Sequence, residues 1–387
     1  MTYRLPLFAL FTALTLTFAL PAAEAQQRPR MPTPEAPQID ASSYILVDFN
    51  SGQVIADKNA DEQVDPASIT KLMTAYIVFS ELRAGNVGLD DLVTVSKKAW
   101  QAEGSRMFIE VNDQVRVEDL IRGMIIQSGN DASIALAEHL AGGENTFATW
   151  MNQHAERLGM HQTHYENATG LTGPAHKSSA RDIATLVAAL IEEFPEYYRL
   201  YSEREFTYAG ITQSNRNRLL WRDNSVDGVK TGYTKAAGYC LASSAERDGM
   251  RLISVVLGTP SMRAREQASE SLLNYGFRFF ESVQVATQNE AVANAKIWKS
   301  SAENVQLGPS QTTFVTVPRG RADDISLKPQ LDQRLIAPVT AGQQLGALNI
   351  SLDDEKLASV PLVALQAMPL GSLWQRLRDE VLLFVKR

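Results

Sequence analysis

Three short groupings of polar residues hold side chains able to move protons. In Ser68-Ile-Thr-Lys71 a hydroxyl stands three residues ahead of an amine, so on a helix the two share one face. Asp65 reads as an N-cap and Pro66 as the first helical residue. Leu72, Tyr76, Phe79 and Leu82 recur at helical spacing, which predicts Ser68 and Lys71 in the first turn of a mostly buried helix. A hydroxyl beside an amine at a helix start is a nucleophile–base pair with backbone donors close by. Taken alone, Ser-x-x-Lys is a weak signal that an ordinary helix start also explains. Ser128-Gly129-Asn130 falls in a turn between helical patterns at 117–126 and 132–140, with Gly129 expected to permit the tight turn. Lys230-Thr231-Gly232 lies in a strand-like run, 226–234, expected along one edge of three antiparallel strands that continue through 239–245 and 251–257. A glycine at 232 would let a ligand approach the backbone.

Other elements frame these groupings. Strand-like runs at 44–48 and 54–57 around Asn50-Ser51-Gly52 predict a hairpin leading into the Ser68 helix. Residues 91–95 read as a short strand and Gly104-Ser105-Arg106-Met107 as a loop able to border a cleft. Further helices are predicted at 146–158, 179–193 (capped by Ser178 or Ser179) and 269–280. From about 283, short alternating runs separated by Gly, Pro and Asp predict a small all-β domain. Residues 373–387 return to helix, with Leu373, Trp374, Leu377, Val381, Phe384 and Val385 on one arc and mostly polar residues opposite, although Leu382 and Leu383 break the pattern. A terminal amphipathic helix with Trp and flanking cations can lie in a membrane surface, or it can dock on its own domain; its terminal position favours the membrane.

The chain has 387 residues and a formal net charge of −7. That length suits one large and one smaller domain. The acidic balance, with no basic stripe, argues against nucleic acid as a partner. A single cysteine, Cys240, excludes an intramolecular disulfide and a cysteine metal cluster, and reads as a small buried apolar residue. His161 and His164 sit in a loop without supporting ligands, so no metal site is expected. Arg4, an apolar run over 5–20 and Ala23-Glu24-Ala25 have the layout of a secretory signal peptide cut after Ala25. The expected organisation is a signal peptide (1–25), a Pro-rich leader (26–40), a large domain (41–282), a small β-sandwich-like domain (283–366) and an amphipathic helix (367–387). The mature chain is expected outside the cytoplasmic membrane, in a periplasm, attached peripherally to the outer face of the inner membrane.

Together, Ser68-x-x-Lys71, Ser128-Gly-Asn130 and Lys230-Thr-Gly232, in that order and in those contexts, resemble the motif set of the penicillin-binding protein and serine β-lactamase superfamily. Asp65-Pro-Ala-Ser-Ile-Thr-Lys71, Arg122-Gly-Met, Gln127-Ser-Gly-Asn-Asp131, Asn215-Arg-Asn217, Asp227-Gly-Val-Lys-Thr-Gly232 and Tyr275-Gly-Phe-Arg-Phe-Phe280 look like low-molecular-mass D-alanyl-D-alanine carboxypeptidases. The likeness runs from residue 41 to the end. It implies an α+β fold: a penicillin-binding transpeptidase/β-lactamase-like domain, with an antiparallel sheet flanked by helices, then a small all-β domain and a C-terminal amphipathic helix. It also implies removal of the terminal D-Ala from peptidoglycan pentapeptide, a part in peptidoglycan maturation and cell shape, and covalent inhibition by β-lactam antibiotics. No cofactor is implied.

The chemistry follows beside the resemblance. A serine hydroxyl needs a base, and Lys71 serves only while neutral; burial would lower its pKa and a second cation would lower it further. Lys230 is expected to supply that cation and stay charged. Ser128 is expected to bridge the two amines as a proton relay, and Asn130 to offer an amide to the substrate backbone. The Ser68 backbone N–H is one oxyanion donor. The family pattern puts the second at Tyr233, where some relatives carry His. A carboxypeptidase must also hold a free carboxylate. Thr231 is one candidate, and Arg265 matches the family's carboxylate-binding arginine by spacing, in preference to Arg263. A β-lactamase would want a deacylating glutamate, and Glu166-Asn167 fits that pattern poorly. A D,D-endopeptidase and a non-catalytic β-lactam sensor are the remaining alternatives. A Ser-His-Asp esterase lacks its Gly-x-Ser-x-Gly elbow.

Overall fold

The structure is a computed structural model that describes residues 33–385, apart from 333. The expected signal peptide therefore lies outside the described residues, as do Lys386 and Arg387 of the tail. The core of the larger part is a five-stranded antiparallel sheet. Its strands are β1 (Ser43–Asp48), β2 (Val54–Lys58), β3 (Val226–Thr234), β4 (Gly238–Arg247) and β5 (Met250–Thr259), in the order β2-β1-β5-β4-β3. The N-terminal hairpin thus joins the three predicted strands by pairing β1 with β5, Ile45 opposite Val255. Strand β3 lies at the edge, as its motif requires. Alternation along β1 sends Ile45 to one hydrophobic cluster and Leu46 to the other, so both faces of the sheet are buried.

Helix α1 (Lys71–Ala84) is buried all round along its first nine residues and ends at Gly85 in the left-handed conformation. It shares its cluster with α2 (Asn130–Ala141) and α3 (Ala180–Glu193). On the other face of the sheet lies α4 (Met262–Phe279), through Leu272, Leu273 and Phe277. Ser261 caps α4 by accepting from the Ala264 N–H, so this helix starts earlier than its apolar pattern suggests. That early start puts Arg265 in its first turn. Ser179, of the two candidate caps, is the one that caps α3.

Phe280 continues directly into the β-rich part. Phe280–Ala286 pairs with Thr313–Pro318, and a six-stranded sheet spans Ile325–Leu331, Gln344–Leu352, Glu355–Ala364, Asn304–Pro309, Ala293–Trp298 and Leu335–Ile336 in spatial order. Val305, Leu307, Val317, Ile350 and Leu362 form its own core. The buried Asp48 carboxylate on β1 ties the two parts by accepting from Thr316 Oγ1 at 2.7 Å. The last helix, α5 (Leu373–Val385), is pinned to the β-rich part by its polar face. The buried Asp379 accepts from the Lys299 backbone N–H at 2.7 Å, and Glu380 pairs with the Lys299 ammonium. Its apolar face is turned outward, Trp374 being 83 % exposed.

Candidate active site

Ser68 does not sit in an α-helix. Residues Ala67–Thr70 form a 3-10 turn, and the α-helix begins at Lys71. Asp65 does not cap it, because its carboxylate takes the Lys177 ammonium at 3.0 Å instead. The turn is held from outside. Ala67 carries φ +48°, and a Cβ on Gly170 would stand 1.8 Å from the Ala67 carbonyl oxygen, so the loop before α3 touches the nucleophile turn backbone to backbone. His176, buried on the same loop, accepts the Glu166 N–H at Nδ1 (3.0 Å), so Nε2 carries the proton and donates to Thr70 Oγ1 at 2.8 Å. Burial lowers the pKa of His176 to about 4, which keeps it in that neutral form. From the other side β3 packs against the turn. A Cβ on Gly232 would meet the Pro66 carbonyl at 3.1 Å and Ala67 Cβ at 3.2 Å. What approaches that glycine's open face is therefore the chain's own turn rather than a ligand.

Lys71 Nζ lies 3.1 Å from Ser68 Oγ and donates to Asn130 Oδ1 at 2.6 Å and to the Thr169 carbonyl at 2.5 Å. A neutral amine has two N–H bonds and one lone pair. The two carbonyl oxygens take the N–H bonds, and the lone pair is left facing the serine hydroxyl. Burial lowers the Lys71 pKa to about 7; the Arg216 cation pushes the same way, while Asp131 and Glu144 oppose it. About half the amine is therefore neutral near pH 7.

The surroundings of Lys230 and Ser128 differ from expectation. Lys230 is itself buried, and its pKa is held well below the usual lysine range first by that burial and then by Lys71, Arg216 and Arg265. Arg216, whose Nε donates to the Gln127 carbonyl at 2.9 Å, is a further cation beside both amines. Ser128 does not bridge the two amines. Lys230 Nζ donates to Ser128 Oγ at 2.9 Å, whereas Lys71 bonds Ser68, Asn130 and Thr169.

The turn that presents Ser128 also differs from expectation. The residues before it, Gly123–Gln127, form a π turn, and Ser128 itself takes the left-handed conformation (φ +67°) while Gly129 does not. Gly129 is small for another reason: a Cβ there would stand 2.8 Å from Asp131 Oδ1. Asp131, fully buried, accepts the backbone N–H groups of Met107, Phe108, Ile109 and Ala132 and so binds the 104–109 loop to the start of α2. Asn130 Nδ2 donates to the Glu103 carbonyl at 2.6 Å, leaving its second N–H for a substrate.

A cavity of about 260 Å³ is lined by Ser68, Ser128, Arg216, Thr231, Tyr239 and Arg265, among others. Arg265 is almost completely buried and donates from Nη1 to the Gly232 carbonyl at 3.1 Å, while its buried Nε has no hydrogen-bond partner among the described residues. A buried donor of this kind is poised for a carboxylate. Arg263, by contrast, is exposed. Tyr233 is 53 % exposed at the rim and stacks on Tyr239 at 4.3 Å. The structure thus gathers Ser68, Lys71, Ser128, Asn130, Lys230, Thr231, Gly232, Tyr233 and Arg265 around one cleft. Sequence reasoning missed Arg216, His176, Thr169 and Glu144. Arg216 alone left a signal, the Asn215-Arg-Asn217 segment, whose asparagines tie this loop to the Gly228 and Glu203 carbonyls.

The family described as D-alanyl-D-alanine carboxypeptidase matches residues 30–261, and the penicillin-binding protein 5 C-terminal domain matches 280–369. The chain is 42 % identical to D-alanyl-D-alanine carboxypeptidase DacC of Escherichia coli (strain K12), covering 96 % of this chain and 94 % of that one. Penicillin-binding protein 5 of Haemophilus influenzae superimposes with a TM-score of 0.84 at 39 % identity, over 87 % of this chain and 99 % of that one. Penicillin-binding protein D2 of Listeria monocytogenes, solved in its ampicillin-bound form, matches 62 % of this chain and 98 % of its own at 30 % identity and a TM-score of 0.58. A serine with a half-neutral lysine at its hydroxyl, on this fold and with these relatives, makes the chain a serine peptidase of the D-alanyl-D-alanine carboxypeptidase family.

Proposed function

We propose that this chain hydrolyses the last peptide bond of peptidoglycan pentapeptide, releasing D-alanine through an acyl-enzyme on Ser68. Neutral Lys71 takes the Ser68 proton as Oγ attacks the carbonyl carbon of the penultimate D-Ala. The backbone N–H groups of Ser68 and Tyr233 hold the oxyanion. Asn130 takes the acyl-side backbone, and Thr231 and Arg265 take the terminal carboxylate, with the Arg216 charge beside them. Ser128, hydrogen-bonded to Lys230, gives its proton to the leaving nitrogen and is reprotonated by the Lys71 ammonium, which leaves Lys71 neutral again. Water then attacks the ester, with Lys71 again as base, and Ser68 is regenerated. The observation that carries this reading is Lys71 Nζ, 3.1 Å from Ser68 Oγ with a pKa of about 7. A β-lactam would acylate the same serine and leave slowly.

Incubation with penicillin is expected to add one drug mass to the peptide containing Ser68, and Ser68→Ala to abolish it. An adduct elsewhere, or none, overturns the assignment. Release of free D-alanine from a pentapeptide then separates a carboxypeptidase from a sensor, and rapid penicillin turnover without D-alanine marks a β-lactamase. We further propose that the mature chain works outside the cytoplasmic membrane and attaches to its outer face through the exposed apolar side of α5. No helix among the described residues is long and apolar enough to cross a membrane.

A further inference from the structure

Where α5 lies against the β-rich part there is a cavity of about 470 Å³. Lys299, Arg334 and Ile336 line it from the sheet side, and Glu380, Val381 and Phe384, among others, from α5. Strand register explains the apolar floor. Ala293–Trp298 and Leu335–Ile336 run parallel, with Ile297 beside Leu335 and Trp298 beside Ile336. Alternation buries Ile297 and Leu335 in the core and turns Ile336 outward, 43 % exposed, with Trp298 half-buried next to it. The exposed apolar side of α5 therefore continues onto the sheet instead of ending at the helix.

The charges around this floor are nearly all engaged. Glu380 pairs with the Lys299 ammonium, and Asp379 takes the Lys299 backbone N–H and the Arg378 guanidinium. The Lys296 ammonium lies over the Trp298 ring, 4.2 Å from its centre. Arg334 is exposed and makes no ion pair among the described residues. The cavity thus keeps one unpaired guanidinium beside an apolar floor, in a chain whose formal net charge is −7.

Resting on the reading of α5 as the membrane-facing helix, we propose that this cavity seats one phospholipid of net negative charge. Arg334 takes its phosphate, and its acyl chains lie along Ile336, Val381 and Phe384. An uncharged apolar ligand would leave the guanidinium without a partner, and a free phosphate would leave the floor in water. A lipid satisfies both. A zwitterionic headgroup fits less well, because Asp379 and Glu380 are already paired and no carboxylate is free for its ammonium. The contact holds the β-rich part itself against the bilayer, beyond what the helix does. One basic side chain at such a surface changes affinity by about fivefold.

The experiment sediments the protein with vesicles of phosphatidylcholine alone or with one quarter phosphatidylglycerol. Arg334→Ala is expected to weaken binding to the mixed vesicles by about fivefold and Arg334→Glu by more, with Arg334→Lys close to the unaltered protein. Binding to phosphatidylcholine alone should not change. Arg376→Ala, on the same helix but outside the cavity, should cost less than Arg334→Ala; an equal loss means diffuse surface charge only and overturns the site. Calorimetry with monomeric dihexanoyl phosphatidylglycerol should show binding that Arg334→Ala weakens by about fivefold. Glycerol phosphate binding as tightly as that lipid, or Arg334→Ala without effect in both assays, also overturns it. If the unaltered protein binds neither vesicle, the membrane reading of α5 itself fails and the lipid site falls with it.

Discussion

A base that works near neutrality is built at Lys71 by burial, and its surroundings divide the labour. Asn130 and Thr169 occupy its N–H bonds, and Arg216 adds a positive field that Asp131 and Glu144 oppose. Because the neutral amine is the active form, acylation by penicillin should rise about tenfold per pH unit below pH 7 and level off above it. Replacing Arg216 by Ala removes the cation, favours protonated Lys71 and should move this limb to higher pH. The saturating acylation rate, which is free of binding effects, should then fall several-fold at pH 7 and recover by pH 9. A limb that does not move would place Arg216 outside the electrostatics of the base.

At the scale of elements, the nucleophile turn is clamped between an edge strand and a loop. The loop contributes Thr169 to Lys71, Gly170 to Ala67 and His176 to Thr70. The clamp works only while His176 is neutral, because protonation would turn Nδ1 from an acceptor into a second donor facing the Glu166 N–H. Burial is the largest cause of its low pKa; His164 and Lys177 add to it, and Glu166 and Asp65 oppose it. In the folded state this pKa is about 4, against an ordinary value of 6.5, so the unfolded chain binds the extra proton between those values. Stability should therefore fall as pH drops from about 6.5 to about 4, by up to about 3 kcal/mol. Urea unfolding across that range checks this, and His176→Gln should flatten the slope.

Across the whole molecule, the β-rich part holds a terminal helix in a defined orientation. Asp379 and Glu380 fix its polar face to Lys299, while Leu373, Trp374, Leu377, Val381, Phe384 and Val385 face outward. The two readings of the tail, docked helix and membrane helix, are therefore compatible, since different faces serve each. Deleting residues 370–387 should move the protein from the membrane fraction to the soluble fraction. Unchanged partitioning would assign the exposed face some other role.

Spacing and residue type carried the local chemistry: Ser68 with Lys71, Ser128 with Asn130, and Lys230 on an edge strand, because helical and strand periods alone decide which side chains share a face. The strands around Lys230 were legible for the same reason. Periodicity is silent on contacts between distant segments, and those settled the rest. Only the packed structure joined the first hairpin to β5, buried Lys230 and set the Arg216 cation beside it and Lys71. It also put the left-handed turn at Ser128 rather than Gly129, where the Asp131 carboxylate needs the space. His176 and Thr169 stood more than ninety residues from the groups they contact, in a loop without a motif. Burial and charge at a site are sums over neighbours that the fold assembles, so the lysine's pKa, unlike its position, belongs to the tertiary structure.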